Sequence, residues 1–450
     1  MKEAMPFTVL SYGLWSPPIM LLLLIGSGFL LSRFGFLRVS RLEGLIRKTL
    51  DASGPDAGRE GTIPSFDAFA TALGGSLGVH NWIGVPLAVA LGGPGALFWM
   101  TVVAAFGMVI LYGEILLGLL YREKNSRGEW VGGPAYTMKK GLGWKWAARL
   151  YAVGLILQVG LFTMSQPAMI SQHLHRSFGI EGSLIGIVVV LVVAPLLFGG
   201  IRRIGRVMKA IIPLLVLAYI ITVVCILWSN RAVLPDMLIS VLTHALVIPT
   251  APAGAFAGAG IVASMSWGLS RGIHSGGAGM GTASIVHSAA VNRHPPKQAF
   301  WGMLAVLIDT FLISNLTGWV VLVTGVWKVI PTHRVTEMLP TAFADAFPSD
   351  HAHLLDAVFL TLFALVSLPV FIFYGEKQGE FLFGPRGGHA LRFLYLGVIL
   401  AGSFWGFSSR WPVWDLLLIA IVVPNLLALL ALSRKTKEAT QAYLAADLET

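Results

Sequence analysis

Apolar residues run through this chain in stretches too long for the interior of a water-soluble domain. Crossing a hydrocarbon layer of ~30 Å takes about 20 predominantly apolar residues in a helix. Runs of that kind lie at Trp15–Leu31, Pro64–Ala90, Ala96–Leu120, Leu150–Gln172, Leu184–Gly199, Met208–Trp228, Ala253–Ala290, Ala299–Val326, Leu354–Phe373, Leu391–Phe407 and Val413–Leu432. The pattern predicts an all-α integral membrane protein of eleven transmembrane helices, with no soluble domain of useful size between them. Two of the runs are interrupted, by Leu73-Gly-Gly-Ser-Leu-Gly-Val-His-Asn-Trp-Ile-Gly84 and by Ser270-Arg-Gly-Ile-His-Ser-Gly-Gly-Ala-Gly-Met-Gly281. Glycine weakens a helix by about 1 kcal/mol per residue relative to alanine. Unwound backbone at membrane depth is tolerated only where it is buried in protein or lines a cavity. A matched pair of broken helices therefore points to the substrate site of a secondary transporter. Small residues also serve close helix packing, but that needs spaced positions rather than a run such as Ser-Gly-Gly-Ala-Gly.

With the first helix set aside, ten spans remain, five on each side of an outer connection near Asp236–Thr250. Because five is odd, the two halves enter the membrane from opposite faces, which is the logic of an inverted repeat. The chain divides into an N-terminal transmembrane helix (1–36), a cytoplasmic connection (37–62), a first five-helix repeat (63–232), an outer connection (233–252), a second five-helix repeat (253–433) and a cytoplasmic tail (434–450). Each repeat opens with its broken helix. Two amphipathic stretches, Leu234–Val247 and Thr336–Phe347, occupy equivalent outer connections and are expected as loop helices or interfacial lids.

Composition agrees with this class. The chain is 56% hydrophobic and 12% charged, with a mean hydropathy of +0.76, against about 25% charged residues in soluble proteins. The net charge of +10 is not a nucleic-acid signal, because its placement follows the loops. With connections assigned to alternate sides, 25 of the 32 Lys/Arg fall on one side and six on the other, Arg271 lying within a span. The positive-inside rule then sets the N-terminus outside and the C-terminus in the cytoplasm of a plasma-membrane protein. Arg33, Arg38 and Arg41 follow the first run where a cleavable signal would have small residues, so it reads as a retained helix. The lone Cys225 lies in a span and offers no disulfide framework. Neither His-Glu-x-x-His nor Gly-x-Ser-x-Gly occurs, nor a repeated channel filter, so the expectation is no enzyme and no cofactor. The expected partners are a small-molecule substrate and the lipid bilayer; nothing specifies an oligomer.

Several motifs in order carry a more specific resemblance. Gly92-Gly-Pro-Gly-Ala-Leu-Phe-Trp-Met100, Phe106-Gly-Met with Tyr112 and Glu114, Gly132-Gly-Pro134, Gly199-Gly-Ile-Arg-Arg-Ile-Gly205, Arg271-Gly272, Ala278-Gly-Met-Gly281, His294-Pro295, Ile308-Asp-Thr310 and Tyr374-Gly-Glu376 resemble the alanine or glycine:cation symporter family over nearly the whole chain. The resemblance implies the five-plus-five inverted-repeat fold and uptake of a small neutral amino acid. It also implies cation symport, with sodium favoured over a proton. The departures fall at the presumed site. The family's first break usually reads Gly-Thr-Gly-Asn-Ile-Ala-Gly where this chain has Gly78-Val-His-Asn-Trp-Ile-Gly84. Its Ser-Asn-Glu-Ala-Gly is here Ser275-Gly-Gly-Ala-Gly279. Its Asn-x-x-Gln-x-Asn keeps only Gln166, with Thr163 and Ala168 beside it, and a Thr-Thr pair is Val366-Ser367.

These residues define the expected chemistry. Free N–H groups at the start of an unwound helix's second half suit a substrate carboxylate. The expected substrate contacts are Gly78, Val79, His80, Asn81, Gln166, Ser275, Gly276 and Gly277. Gly74 and Leu77 would offer carbonyls, and Ser367 a hydroxyl, to a coupling cation. Val366 cannot supply a second hydroxyl, which should weaken sodium binding because hard cations take several oxygens. With Gly277 in place of the family's Glu, and with His80 and Trp82 bulkier than their counterparts, bulk is expected to have moved across the pocket. Intramembrane charges are functional by default; Arg271 is expected to pair with Asp309, and Glu114 and Asp67 to fix cytoplasmic helix ends. His80 and His274, one in each break, form a candidate proton-linked pair. His173/His175 and His351/His353 lack evident further metal ligands. A substrate-sensing receptor, or a carrier of another small solute, on the same fold is not separable from an amino acid carrier at this level.

Overall fold

The computed structural model describes residues 17–34, 60–246, 260–292, 294–404 and 411–446. The start of the first run at Trp15, residues 37–59 of the first connection, 247–259 of the outer connection and second break helix, Trp405–Phe407 and Arg410 lie outside the described residues. Helix α1 (Pro17–Phe34) opens on two prolines. The first interrupted run is two helices, α2 (Ser65–Ser76) and α3 (Val79–Gly92), parted at Leu77 and Gly78, whose backbone is extended. Then come α4 (Gly95–Leu120), α5 (Lys145–Phe178), α6 (Gly182–Phe198), α7 (Gly200–Ser229) and α8 (Leu234–Leu246). The second interrupted run is α9 (Gly260–Gly276) and α10 (Thr282–His287). Helix α11 (Pro295–Val323) carries a π-helical segment, Leu307–Ser314. A short 3-10 turn, Thr332–Glu337, and α12 (Met338–Ala344) follow, then α13 (Ser349–Phe404), α14 (Trp411–Ala431) and α15 (Ser433–Ala446).

Among the described residues six helices are long and apolar enough to cross a bilayer: α4, α5, α7, α11, α13 and α14; α1, α3, α6 and α8 contain shorter apolar stretches. Helix α13 is a hairpin and not a rod. Gly384, at φ 73° and ψ −172°, turns the chain, and Arg392 then donates to Glu376 from Nε at 3.0 Å. On a straight helix those residues would be about 24 Å apart at 1.5 Å per residue. Both arms pack on α5: Phe371 stacks on Phe162 at 3.6 Å between ring centroids, and Tyr395 donates to the Ile156 carbonyl at 2.9 Å.

The fold is not purely α-helical. Glu123–Lys124 and Trp130–Val131 form an antiparallel hairpin, because the polar segment between α4 and α5 closes on Asn125, whose side chain accepts from the amides of Arg127 and Glu129. Ile63 also makes a parallel bridge to Ala290, tying the approach to α2 to the segment after α10. Packing glycines explain part of the glycine content. In a bilayer, helices associate through close contact and not through a hydrophobic driving force. A Cβ at Gly268 would lie 2.5 Å from the Ala96 carbonyl oxygen, and one at Gly272 would collide with Val103. Helices α9 and α4 therefore touch along one glycine face.

Candidate functional site

Helix α2 ends where Leu77 N–H donates to the Leu73 carbonyl at 2.9 Å, and the extended Gly78 then leaves α3 to start afresh. The first amide of α3, Val79 N–H, donates to Gln166 Oε1 of α5 at 3.2 Å. Gln166 is fully buried, and its Nε2 has no hydrogen-bond partner among the described residues. Gly78 lies under the Phe162 and His80 rings: a Cβ there would sit 3.1 Å from Phe162 Cζ and from His80 Nδ1. The helix break thus exposes an amide end that a single amide side chain covers.

The second break has a different mechanism. Gly277, Gly279 and Gly281 have φ of 64°, 87° and 72°, a region that only glycine visits routinely. Gly277 is therefore required by its backbone. Space is secondary there, since a Cβ would meet only Thr282 Oγ1 at 3.5 Å, whereas one at Gly276 would meet Thr310 Oγ1 at 2.7 Å. Freed carbonyls are re-satisfied from outside: Tyr151 OH donates to Met280 O at 2.6 Å, and Asn425 Nδ2 to Gly279 O at 2.8 Å. Asn425 Nδ2 also reaches Glu114 Oε1 at 2.5 Å. Glu114 accordingly braces the second break and is not a helix-end anchor, a correction that follows from α4 crossing α14 at that depth. Asp67 does lie in the first turn of α2, 3.7 Å from Lys209 Nζ.

Between the breaks stand aromatic and imidazole rings. His80 faces Phe162 (6.0 Å between centroids), Phe162 also faces Trp414 (6.4 Å), and His274 stacks toward Trp414 (6.4 Å). The two histidines flank one aromatic set. His274 Nδ1 lies 3.2 Å from the Ser270 carbonyl. Donating there leaves its Nε2 as a lone-pair acceptor. Neither His80 Nε2 nor His274 Nε2 has a hydrogen-bond partner among the described residues, and Thr163 Oγ1 is buried in the same state.

Asn81 and Ser275 turn elsewhere, toward Asp309. Asn81 Nδ2 donates to Asp309 Oδ1 at 2.8 Å and Ser275 Oγ to Asp309 Oδ2 at 2.9 Å. The expected Arg271–Asp309 pair does not form. Arg271 instead contacts both oxygens of Asp415 on α14 at 3.0 Å, with its guanidinium 5.1 Å from the Trp267 ring centroid. Asp309 lies in the π-helical segment and meets Asn81 of α3 and Ser275 of α9. Trp82 also departs from expectation: its Nε1 donates to Asp356 at 2.9 Å among Tyr219, Phe343, Phe359 and Phe363. Its bulk fills that aromatic cluster and not the space opposite Gly277. His173 pairs with the same Asp356. Asp415, Asp356, Phe162, Phe371 and Trp414 were not singled out from sequence; for the two acids, an inventory of charges inside spans is the signal that finds them.

Of the expected cation ligands, Leu77 and Ser367 are fully buried. Gly74 packs on Met208 and Ile212 of α7, while the neighbouring Gly75 packs on Val370 and Tyr374 of α13. Ser367 shares a helical face with Val370, Phe371 and Tyr374 by its three-, four- and seven-residue spacing. Its hydroxyl bonds within its own helix, to Ala364 O at 3.1 Å.

Comparison with known proteins bears on the fold and the family. The solved structure of MhsT in complex with L-phenylalanine superposes with a TM-score of 0.60 at 14% identity, covering 83% of this chain and 90% of that one. The nucleobase-cation-symport transporter Mhp1 gives 0.50 at 13%, covering 80% and 75%. At those identities the likeness is one of fold. An uncharacterized transporter of Bacillus subtilis, YflA, is 38% identical over 94% of this chain and 90% of its own length. The sodium/alanine symporter AgcS of Methanococcus maripaludis is 33% identical over 95% and 94%. The sequence profile of the sodium:alanine symporter family matches residues 4–449, and the chain belongs to that family of membrane transporters.

Proposed function

We propose that this protein takes up a small neutral amino acid, alanine- or glycine-like, by symport with a cation, sodium in preference to a proton. Eleven spans in a one-plus-five-plus-five inverted repeat would carry it, in the plasma membrane, with the N-terminus outside. The observation that carries the reading is the pairing of the two helix breaks around unsatisfied polar atoms of opposite kind. Gln166 Nε2, beside Val79 N–H, offers donors to a carboxylate at the positive end of α3. His80 Nε2 and His274 Nε2 offer acceptors to an ammonium, in place of the family's acidic residue. Phe162, stacked on Phe371 and facing Trp414, places bulky rings beside the first break, which favours the smallest amino acids. A coupling cation near Gly74, Leu77 and Ser367 is supported by their burial beside the first break. The names of relatives such as AgcS support the same substrate class.

The test is uptake of radiolabelled alanine, glycine and serine into proteoliposomes, with and without an inward sodium gradient. Sodium-stimulated alanine or glycine accumulation is expected, reduced strongly by Gln166→Leu. Saturable amino acid binding with no accumulation under any gradient would make the protein a substrate-sensing receptor instead.

A further inference from the structure

The two breaks offer too few acceptors for a primary ammonium. Such a group carries three N–H donors, and a neutral imidazole carries one acceptor nitrogen. His80 Nε2 and His274 Nε2, both without a hydrogen-bond partner among the described residues, therefore supply two acceptors. Neighbouring carbonyls are already engaged. Gly78 O takes the Asn81 N–H at 3.0 Å, Ile273 O the Gly277 N–H at 2.9 Å and Gly277 O the Met280 N–H at 3.1 Å. Gly279 O and Met280 O accept from Asn425 and Tyr151. The buried acids are engaged too: Asp309 by Asn81 and Ser275, Asp415 by Arg271, and Glu114 by Asn425. With Gly277 where the family has a glutamate, the third N–H of a primary ammonium is left over. A donor buried without a partner costs binding.

Rings stand where that third donor would point for a partner. His80, at the place of a family glycine, faces Phe162 at 6.0 Å between centroids. Trp414 faces both Phe162 and His274 at 6.4 Å, and Phe371 backs Phe162 at 3.6 Å. Electron-rich ring faces attract a cation without needing an N–H, which is how aromatic sites hold methylated ammonium groups. A methyl on a charged nitrogen shares its positive charge and presents an apolar surface. It gains from ring contact where a bare N–H would stay unpaired. Thr163 Oγ1 and Gln166 Nε2, three residues apart on one face of α5, remain for the carboxylate beside Val79 N–H.

We propose that the site selects an amino acid whose nitrogen is a secondary amine, with two N–H bonds for the two imidazoles and one N-methyl group for the rings. N-methylglycine is the smallest of that class. The inference rests on the reading of the two breaks as an amino acid site. N-methylglycine and alanine are isomers, with the methyl on nitrogen in one and on the α-carbon in the other, so overall size and charge cancel in a comparison. Binding of radiolabelled N-methylglycine and L-alanine to the purified full-length protein is measured in sodium chloride, followed by uptake of both into proteoliposomes. N-methylglycine is expected to bind about tenfold more tightly, equivalent to about 1.4 kcal/mol. Trimethylglycine, with no N–H to offer the imidazoles, is expected to compete only weakly. Phe162→Leu, which keeps both acceptors and removes a ring, is expected to erase most of the preference. Alanine bound as tightly as N-methylglycine by the wild type would overturn the inference and leave the carrier reading intact. An unchanged preference in Phe162→Leu would also overturn it, by taking the rings out of the recognition. Tighter N-methylglycine binding with no accumulation of either isomer would sink the carrier reading and leave the inference standing.

Discussion

At the residue scale the Arg271–Asp415 pair is buried, both side chains being 2% exposed. Burying two charges is repaid only with good geometry, and breaking such a pair typically costs about 3–5 kcal/mol. Asp415→Asn is expected to lower unfolding stability in detergent by about that amount. The double variant Arg271→Met/Asp415→Leu should lose less than the sum of the single changes, because residues in direct contact are coupled. Full additivity would mean that the two side chains do not act as a pair. Gly277 invites a second measurement. Its left-handed backbone disfavours any L side chain by roughly 1–2 kcal/mol, so Gly277→Ala should destabilise although space exists. Gly397→Ala, on an exposed helical position with nothing within 4 Å of the added carbon, should be neutral or slightly stabilising. Arg271 was legible in the sequence as an intramembrane charge, but its partner was not. Pairing depends on helix rotation, and the π-helical turn that carries Asp309 has the same apolar composition as an ordinary helix.

At the element scale the two breaks were legible because glycine density is a local property that unwinds a helix wherever it falls. The hairpin in α13 was legible for the same reason, as two apolar runs about a polar, glycine-bearing bend. The Glu123–Val131 hairpin was not, since a polar connection carries no hydrophobic period to read. Its consequence is a clasp. Thr62 N–H and Ile63 N–H donate to Ala289 O at 2.7 and 3.1 Å, while Arg122 donates to the carbonyls of Ser288, Ala290 and Glu60 at 2.9–3.1 Å. One guanidinium thus ties the foot of the first broken helix to the foot of the second. Arg122→Gln should loosen that end, so a cysteine placed at Thr62 in a Cys225→Ala background should react faster with a thiol reagent. An unchanged rate would show that the backbone bridge holds alone. Beside the clasp, Lys377 lies 2.9 Å from both Glu129 and Glu380. Burial pushes the Glu129 carboxyl up, but Lys377 pulls it down further, leaving it below its ordinary 4.5. A carboxyl lowered in the folded state adds stability that is complete above its unfolded pKa and is lost as pH falls through the folded one. The thermal stability of wild type relative to Glu129→Gln should therefore be constant above about pH 5 and shrink below it. A gap that widened on acidification would contradict the pairing.

For the whole molecule, connections assigned to one side from their charge meet one another in the fold. Residues 60–63, 122–131 and 288–292 form the clasp, and Lys377 of the α13 hairpin joins them through Glu129. On the other face Arg176 pairs with Glu337 at 3.1 Å, and the end of α8 packs on Gly95. These contacts join connections that the basic-residue count also groups together. The contacts say which connections share a face; the charge says which face is cytoplasmic, since Lys and Arg are retained on that side during insertion. With 25 basic residues on the clasp side against six opposite, the clasp is expected inside and His333 outside. In the Cys225→Ala background, His333→Cys should be labelled by an impermeant thiol reagent on intact cells, and Arg386→Cys, at the exposed tip of the α13 hairpin, only after permeabilisation. The reverse pattern would invert the molecule. The Arg122 clasp would then close the outer entrance, and the Trp82–Asp356–His173 contacts would become the cytoplasmic seal.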